Sequence, residues 1–279
     1  MSARRVATLA LLAFACERYV PVGYADALVS DADLGEQKGS PPGAPGGAGG
    51  APDSGGAGEA LGGAAGEPWT GWSADQETGD FTQWLSDLRG RRFAQASGTV
   101  EITEELARSG THAIEATISA TDGELHQAVM GRDLELAEGR YGAWYFLPVA
   151  PQTLAAVIMK LSNGGDVDRY DIDLVAVDGE VPRLRLYEHE SHDFTSAPAV
   201  TSFPIGQWVH VEALYRSTPS ADGRVIVLQD GNPVLDSGAR PTAKDAQVVF
   251  FCGISSHDVD PAPFRVFIDD VSIAPASLP

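Results

Sequence analysis

One short segment of the chain alternates basic and aromatic side chains with apolar ones. Residues 183–189 read Arg-Leu-Arg-Leu-Tyr-Glu-His. Successive side chains of a β-strand point to opposite faces, so Leu184, Leu186 and Glu188 would share one face, and the two leucines mark it as the core side. The other face is predicted to turn toward solvent or a cleft, and it carries two arginines, one tyrosine and one histidine: Arg183, Arg185, Tyr187 and His189.

These residue types match the needs of β-elimination from a uronate sugar. A cation neutralises the substrate carboxylate, while a tyrosine or histidine takes the α-proton and protonates the leaving oxygen. If the chain is a lyase, Arg185, Tyr187 and His189 are its predicted catalytic residues. Two other interpretations stay open. The face could bind neutral sugars, or it could be a solvated strand face whose arginine stems lie along apolar surface.

Further ligand-binding residues are predicted on other strands. Lys160 would join the same row only if its strand neighbours that of residues 183–189. Trp208 and His210 share one face of another predicted strand, where Trp208 either packs in the core or offers a platform for a sugar ring. Together with the first arginine of the row they form the predicted ligand-binding set: Arg183, Lys160, Trp208 and His210.

The acidic residues offer no hydrolase signature. Glu188 and Glu190 would lie on the face opposite Tyr187, which disfavours a retaining glycosidase pair. The chain also contains no Gly-x-Ser-x-Gly elbow, no Walker loop and no zinc-ligand spacing. A cluster beside a Gly-rich turn is predicted to be a solvated edge, and it consists of Asp166, Asp168, Asp171 and Asp173.

Short β-rich stretches carry these residues and recur about every 10 to 15 residues, with Gly, Asn, Asp and Pro between them. Asp178-Gly179 and Asp230-Gly231 have the composition of tight hairpin turns. Residues 104–108 are predicted to form a short helix. Strands without intervening helices favour an all-β fold, a two-sheet antiparallel jelly-roll sandwich. The predicted strands are 99–103, 113–118, 141–147, 157–161, 171–177, 183–189, 208–215, 224–229, 247–252 and 264–273.

Charge and cysteine content limit the partners and the compartment. The chain has 39 acidic and 19 basic residues, a net charge of −20, and residues 69–279 alone carry −16. Such a field repels phosphate backbones, so nucleic acid is excluded as an expected partner. Only Cys16 and Cys252 are present, which gives no disulfide framework, and Cys252 lies in an apolar run that predicts a buried, inert thiol.

The N-terminus has the features of an export signal. Two arginines precede an apolar run at residues 6–15 that is too short to span a bilayer. Residues 13–16 read Ala-Phe-Ala-Cys and resemble a lipobox, which predicts lipid modification of Cys16 and an outer-membrane or cell-surface location. Membrane contact is then expected only through that anchor. The alternative is an Ala-x-Ala site for ordinary signal peptidase and a freely secreted protein.

A flexible linker is predicted between this signal and the folded domain. Residues 39–66 are almost wholly Gly, Ala, Pro and Ser, so they cannot bury enough apolar surface to offset the entropy of ordering. The predicted organisation is a signal peptide at 1–16, a disordered linker at 17–68 that holds the domain away from its anchor, and a monomeric β-sandwich domain at 69–279.

Several segments resemble the concanavalin A-like lectin/glucanase superfamily of jelly rolls. Residues 208–215 and 222–231 resemble its paired strands, and residues 268–273 resemble its closing strand. Residues 77–84 resemble the opening strand of bacterial jelly-roll carbohydrate domains, and residues 107–114 resemble the segment that follows it. Within the superfamily, residues 141–148 resemble the central strand of the heparin-lyase-like and glucuronan-lyase-like polysaccharide lyases. These motifs mark the fold more than any activity.

The resemblance also implies a metal site. Glu77 near the first strand and Asp270 in the last resemble the carboxylate pair that binds structural Ca²⁺ in jelly-roll carbohydrate modules. Because Ca²⁺ takes about six to eight oxygen ligands, backbone carbonyls would have to complete the shell. Asp269 points away from Asp270 in a regular strand, so only one of them can face the ion. Solvated carboxylates without a metal are the alternative.

The sequence therefore favours an exported, non-catalytic protein that binds a poly- or oligosaccharide at the cell envelope. A polysaccharide lyase of the same fold, acting on uronate-containing glycans by β-elimination, is the alternative. A structural or adhesive surface module without sugar specificity is the third interpretation. No cofactor other than a structural Ca²⁺ is expected.

Overall fold

The structure is a computed structural model that describes residues 71–163, 167–198, 200–243 and 247–279. The predicted signal peptide with Cys16 and the predicted linker at 17–68 lie outside the described residues. Export, lipid modification and linker disorder therefore stay predictions. Among the described residues, no helix is both long enough and apolar enough to cross a membrane.

The described residues form fifteen strands and one short helix. In chain order these are β1 (Trp72–Ala74), α1 (Thr82–Leu85), β2 (Gly90–Gln95), β3 (Gly98–Thr103), β4 (Ala113–Ile118), β5 (His126–Glu135), β6 (Glu138–Phe146), β7 (Thr153–Asn163), β8 (Val167–Ala176), β9 (Arg183–Glu188), β10 (Asp193–Ser196), β11 (Trp208–Arg216), β12 (Arg224–Gln229), β13 (Asn232–Asp236), β14 (Gln247–Asp260) and β15 (Phe264–Pro275).

These strands build two antiparallel sheets. The eight-stranded sheet has the order β13-β12-β11-β6-β15-β4-β3, and β1 pairs with β15. The seven-stranded sheet has the order β10-β9-β8-β7-β14-β5-β2. Strands that follow each other in the chain often lie in different sheets, as β14 and β15 do. The predicted all-β, two-sheet antiparallel sandwich is confirmed.

The core lies between the inner faces of the two sheets. On β8, Tyr170, Ile172 and Leu174 are fully buried at every second position, as expected for a strand with one face in the core. Across the core, Phe250 of β14 stacks on Tyr141 of β6 with ring centroids 5.7 Å apart. The buried Tyr145 hydroxyl of β6 donates a 2.8 Å hydrogen bond to the Ile158 carbonyl of β7. Aromatic packing and this bond join the two sheets.

Turn chemistry was predicted correctly at two hairpins. Asp178 and Gly179 connect β8 to β9 with φ values of 53° and 75°, and Asp230 and Gly231 connect β12 to β13 with 50° and 77°. Left-handed conformations at both central residues are those of a type I′ turn, whose twist matches the flanking strands. The Asp230-Gly231 turn sets the register of the hairpin that it closes, since Gln229 and Asn232 on either side of it are directly paired.

Two local predictions near the N-terminus of the domain were wrong. Residues 104–108 form no helix; the backbone N–H of Arg108 instead donates to the Asp269 carboxylate, 2.8 Å away. Residues 77–84 form a turn and α1 rather than an opening strand, because Trp84 is buried from α1 against Trp72 of β1, with ring centroids 4.7 Å apart. In both segments, contacts with residues distant in the sequence determine the backbone conformation.

Cys252 is buried on the inner side of β14, as the apolar run around it predicted. Burial raises the pKa of its thiol well above the ordinary value, because the thiolate would lose its hydration. The side chain therefore packs as a small apolar group.

Truncation of Phe250 should destabilise the domain strongly. Phe250→Ala removes a fully buried ring between the sheets and leaves a cavity, so we expect a loss of about 3–5 kcal/mol in the free energy of unfolding. Urea denaturation followed by tryptophan fluorescence measures it. Leu88→Ala, at a fully exposed side chain, is the control and should change stability by less than about 0.5 kcal/mol. Equal effects of both substitutions would contradict the assigned core.

Candidate functional site

The predicted polar row lies on the outer face of the seven-stranded sheet. Strand β9 pairs with β8, and β8 pairs with β7, so the strand of Lys160 is two strands away from that of Tyr187. The register places Tyr187 opposite Asp171, and Asp171 opposite Lys160. Because side chains of directly paired residues lie on the same face, all three project from one side of the sheet.

Residues from β7, β8, β9 and the turn after β9 thus form one group, which we call the outer-face cluster. It consists of Lys160, Asp171, Asp173, Arg185, Tyr187, His189 and His192. The structure brings together the predicted catalytic residues and Lys160 within it. Arg183 lies on the same strand face but nearer the periphery, where it pairs with Glu180 at 3.3 Å.

Two carboxylates hold the basic side chains of the cluster in place. Arg185 donates from Nε and Nη2 to Asp173 Oδ2, at 2.9 and 2.5 Å. His189 Nε2 lies 2.9 Å from Asp171 Oδ2, and Lys160 Nζ lies 3.9 Å from Asp171 Oδ1. Every charge in this arrangement has an opposite charge beside it.

The solvated edge predicted for Asp171 and Asp173 is therefore wrong. Their exposed fractions are 3% and 6%, since β8 is an interior strand and the longer side chains of its neighbours cover both carboxylates. Asp166 and the side chain of Asp168 lie outside the described residues. No local pattern around residues 171–173 predicts this burial, because the side chains that cover the two carboxylates come from other strands.

Burial separates the proton affinities of the two carboxylates. Loss of hydration raises the pKa of Asp173 to about 6 against the lowering effect of Arg185, and the charge of Asp171 adds to the rise. Burial also works to raise the pKa of Asp171, but Lys160 and His189 outweigh it and hold that pKa below its ordinary value. Asp173 is therefore the carboxylate of the pair that takes up a proton first as the pH falls.

Tyr187 is enclosed by aromatic and imidazole rings. Its ring stacks on Phe194 of β10 with centroids 4.5 Å apart and meets His189 at 4.7 Å. Its hydroxyl lies 2.8 Å from His192 Nδ1. Burial raises its pKa, and the negative charges of Asp171 and Asp173 add to that rise, so the phenol keeps its proton at neutral pH.

Sequence reasoning missed His192 and Phe194. Both follow β9 closely. Strand β10 is only four residues long and exposed throughout, so its sequence lacks the apolar alternation that would predict a strand. The one sequence feature that could have indicated His192 as a site residue is its position three residues after His189, within a tight turn.

The same outer face continues across the other strands of the sheet. Lys160 pairs with Phe251 of β14, and Phe251 pairs with Gly131 of β5. A Cβ at Gly131 would lie 2.7 Å from the Phe251 ring, so the glycine lets the ring lie flat on the sheet. Phe93 of β2 follows, with its ring centroid 5.8 Å from that of Phe251. At about 4.8 Å per strand, the seven strands span roughly 29 Å, long enough for several sugar units in a row.

Trp208 and His210 lie elsewhere. They project from β11 on the outer face of the eight-stranded sheet, where Trp208 pairs with Phe146 and His210 pairs with Trp144. The His210 ring stacks on Trp144 at 4.7 Å, and Arg108 lies 3.7 Å from the centre of the same indole. The predicted ligand-binding set is thus divided between opposite sides of the sandwich, with Lys160 and Arg183 on one side.

The two carboxylates predicted to bind Ca²⁺ both hold residues 108–112. Glu77 Oε1 accepts hydrogen bonds from the backbone N–H groups of Thr111 and His112, at 2.9 and 2.8 Å. Asp270 accepts from Arg108 and from the Ser109 hydroxyl, at 2.5 and 2.9 Å. Across the described ranges, no group of three or more His, Cys, Asp or Glu side chains is arranged to hold a metal. A calcium ion would have to displace protein donors here, and its binding stays a prediction.

Comparison with known proteins shows which solved structures share this fold. No protein-family model matches the chain, and no curated protein matches its sequence. Among solved structures, an endo-β-1,4-glucuronan lyase from the fungus Trichoderma reesei aligns with a TM-score of 0.52 and 17% identity, over 67% of this chain and 90% of that one. The chain has the jelly-roll sandwich fold of polysaccharide lyases.

Two further structures agree. The marine PL-14 alginate lyase from Aplysia kurodai aligns with a TM-score of 0.52 and 9% identity, over 75% of this chain and 100% of that one. The cellulose induced protein Cip1 aligns with a TM-score of 0.51 and 14% identity, over 74% and 98%. At such identities the similarity shows the fold, and it confirms the jelly-roll resemblance found in the sequence.

Titration of Asp173 should be visible in the stability of the domain. Its pKa is about 6 in the folded protein against 3.8 for an ordinary aspartate, so between these pH values the folded state holds a proton that the unfolded state has released. The contribution of Asp173 to stability is complete below pH 4 and is lost as the pH rises to about 6.

Asp173→Asn removes this titration. The free energy of unfolding of both proteins can be measured by urea denaturation from pH 4 to 7. As the pH rises, the free energy of unfolding of wild type should fall relative to that of the variant. Parallel curves across this range would show that Asp173 titrates normally.

Proposed function

We propose that this chain is a polysaccharide lyase that cleaves uronate-containing glycans by β-elimination on the outer face of its seven-stranded sheet. The observation that carries the proposal is the convergence of Lys160 from β7, Arg185 and Tyr187 from β9, and His189 from the turn after β9 onto one face. Cations, a protonated phenol and an imidazole are the groups that this reaction needs.

Each residue has a role that follows from its contacts. Arg185 and Lys160 would neutralise the substrate carboxylate and so acidify the α-carbon beside it. His189 would take the α-proton, and Asp171, 2.9 Å away, would stabilise the resulting imidazolium. As the Cβ–O bond breaks and the Cα–Cβ double bond forms, the Tyr187 hydroxyl would give its proton to the leaving oxygen.

The pairing of Arg185 with Asp173 bears on substrate binding. A substrate carboxylate must compete with Asp173 for the guanidinium group, whose two N–H groups are already directed at Asp173 Oδ2. Because the pKa of Asp173 is raised to about 6, protonation in mildly acidic solution would release Arg185 for the substrate. Anionic glycans are therefore expected to bind more tightly as the pH falls toward 6.

Carbohydrate binding without catalysis is the second candidate. It is favoured by the half-buried Phe251 and Phe93 on the same face, which could stack against sugar rings, and by the neutral balance of charges in the outer-face cluster. In that case the polymer would bind across the sheet, and no bond would break.

A Tyr187→Phe variant separates the two candidates. The substitution keeps the ring but removes the hydroxyl, so turnover of a uronate polymer should fall about a hundredfold or more while polymer binding survives. The assay follows absorbance of the unsaturated uronate product with alginate, glucuronan and a neutral glucan. Tyr215→Phe, which removes a buried hydroxyl on the other sheet, is the matched control and should keep activity.

The outcomes discriminate clearly. Wild-type protein that binds these polymers but yields no unsaturated product would overturn the lyase and leave the binding protein. Loss of uronate binding in Arg185→Ala, with unchanged binding of the neutral glucan, would locate the anionic polymer on this face, because only a carboxylate can form the paired contact with a guanidinium.

A further inference from the structure

We infer that His192 is a proton-relay residue that acts through Tyr187 and connects its hydroxyl to solvent. The inference rests on the proposed function and adds a residue to it. It starts from one juxtaposition: the Tyr187 hydroxyl lies 2.8 Å from His192 Nδ1, at the turn between β9 and β10.

Burial makes such a relay necessary. Only 4% of Tyr187 is exposed, and Phe194 covers its ring. A phenol that gives its proton to a leaving oxygen must recover one before the next turnover, and a side chain so buried has little contact with bulk water. His192 is exposed at the surface of the turn, so its imidazole can exchange protons with solvent.

The other histidine of the outer-face cluster, His189, has a carboxylate as its hydrogen-bond partner. His189 Nε2 faces the buried Asp171 carboxylate, which fixes its ring over β8. Its ring also lies 4.7 Å from the Tyr187 ring, between centroids, in a T-shaped arrangement. The two histidines therefore have different partners. His189 contacts the Asp171 carboxylate, and His192 contacts the Tyr187 hydroxyl.

The backbone of His192 gives an independent indication. Its φ is +59°, in the left-handed region that L-residues adopt at a cost and that glycine or asparagine adopts most easily. The turn is held without the imidazole, because the Ser191 hydroxyl donates to the Glu188 carboxylate at 2.7 Å. A strained residue whose ring is not needed by the turn, but which contacts a reactive hydroxyl, points to a functional role.

The proton balance of the relay is simple. Before elimination, the Nδ1–H group of protonated His192 would donate to the phenol oxygen, whose own proton stays available for the leaving oxygen. During elimination the Tyr187 O–H bond breaks and the proton passes to the leaving oxygen, which leaves a phenolate. Protonated His192 then gives its Nδ1 proton to the phenolate and becomes neutral, and water reprotonates the imidazole. No oxidant or second reactant is required.

Substitution by asparagine isolates the ring from the turn. Asparagine tolerates the left-handed backbone, so His192→Asn should keep the melting temperature while kcat falls by about tenfold or more and KM changes little. His112→Asn, which removes an imidazole on the other side of the sandwich, is the matched control and should keep kcat. In His192→Gly, added imidazole should restore turnover in a saturable manner, whereas Tyr187→Phe should show no such rescue.

A measurement without substrate tests the contact itself. The ¹⁵N resonance of His192 Nδ1 should change between wild type and Tyr187→Phe, because the variant lacks the hydrogen-bond partner. An unchanged resonance would overturn the inference whether or not the chain is a lyase.

The remaining outcomes separate the two proposals. Wild type that yields no unsaturated uronate overturns the lyase, and the relay falls with it. An active wild type whose His192→Asn variant keeps full kcat overturns the relay alone. A loss of kcat that comes with a lowered melting temperature and no imidazole rescue would assign His192 a structural role and overturn the relay as well.

Discussion

Two carboxylates buried on β8 can be accommodated only because cations from both neighbouring strands cover them. An isolated buried carboxylate would lose its hydration at a cost of several kcal/mol, so it must be paired or protonated. Arg185 from β9 pairs with Asp173, while Lys160 from β7 and His189 after β9 pair with Asp171. The register of β7, β8 and β9 therefore fixes both the charges and the geometry of the whole outer face. A slip of one residue would turn these side chains into the core and the apolar ones outward.

This dependence explains what could be read from the sequence and what could not. The alternation in residues 183–189 correctly separated Arg185 and Tyr187 from Leu184 and Leu186, since that pattern is local to one strand. The partners of Arg185 and His189 stand 12 and 18 residues away, and no periodicity links them. The acidic cluster consequently looked like a solvated edge, although two of its members are among the most buried charges of the described chain.

The same distinction holds for the fold. Strands such as β4 and β12 were predicted to the residue, because β-branched and apolar side chains predominate in both and turn residues bound them. Strand β5 was missed, since Arg132 and Asp133 interrupt its apolar pattern. In the structure Arg132 is buried beneath the Trp72 ring and paired with Asp87, contacts that only the folded chain provides. Polar side chains inside strands are where tertiary contacts override local pattern.

The two border strands of the seven-stranded sheet have a further consequence. An open sheet edge presents unpaired N–H and C=O groups that can recruit another chain into a continuous ladder. Here β10 is four residues long and exposed throughout, and β2 carries two adjacent arginines. The short length of β10 and the charge of β2 both oppose the addition of a strand from another molecule. They therefore oppose aggregation through the sheet edges. A domain protected in this way can be crowded at high density while the broad face between its borders stays uncovered.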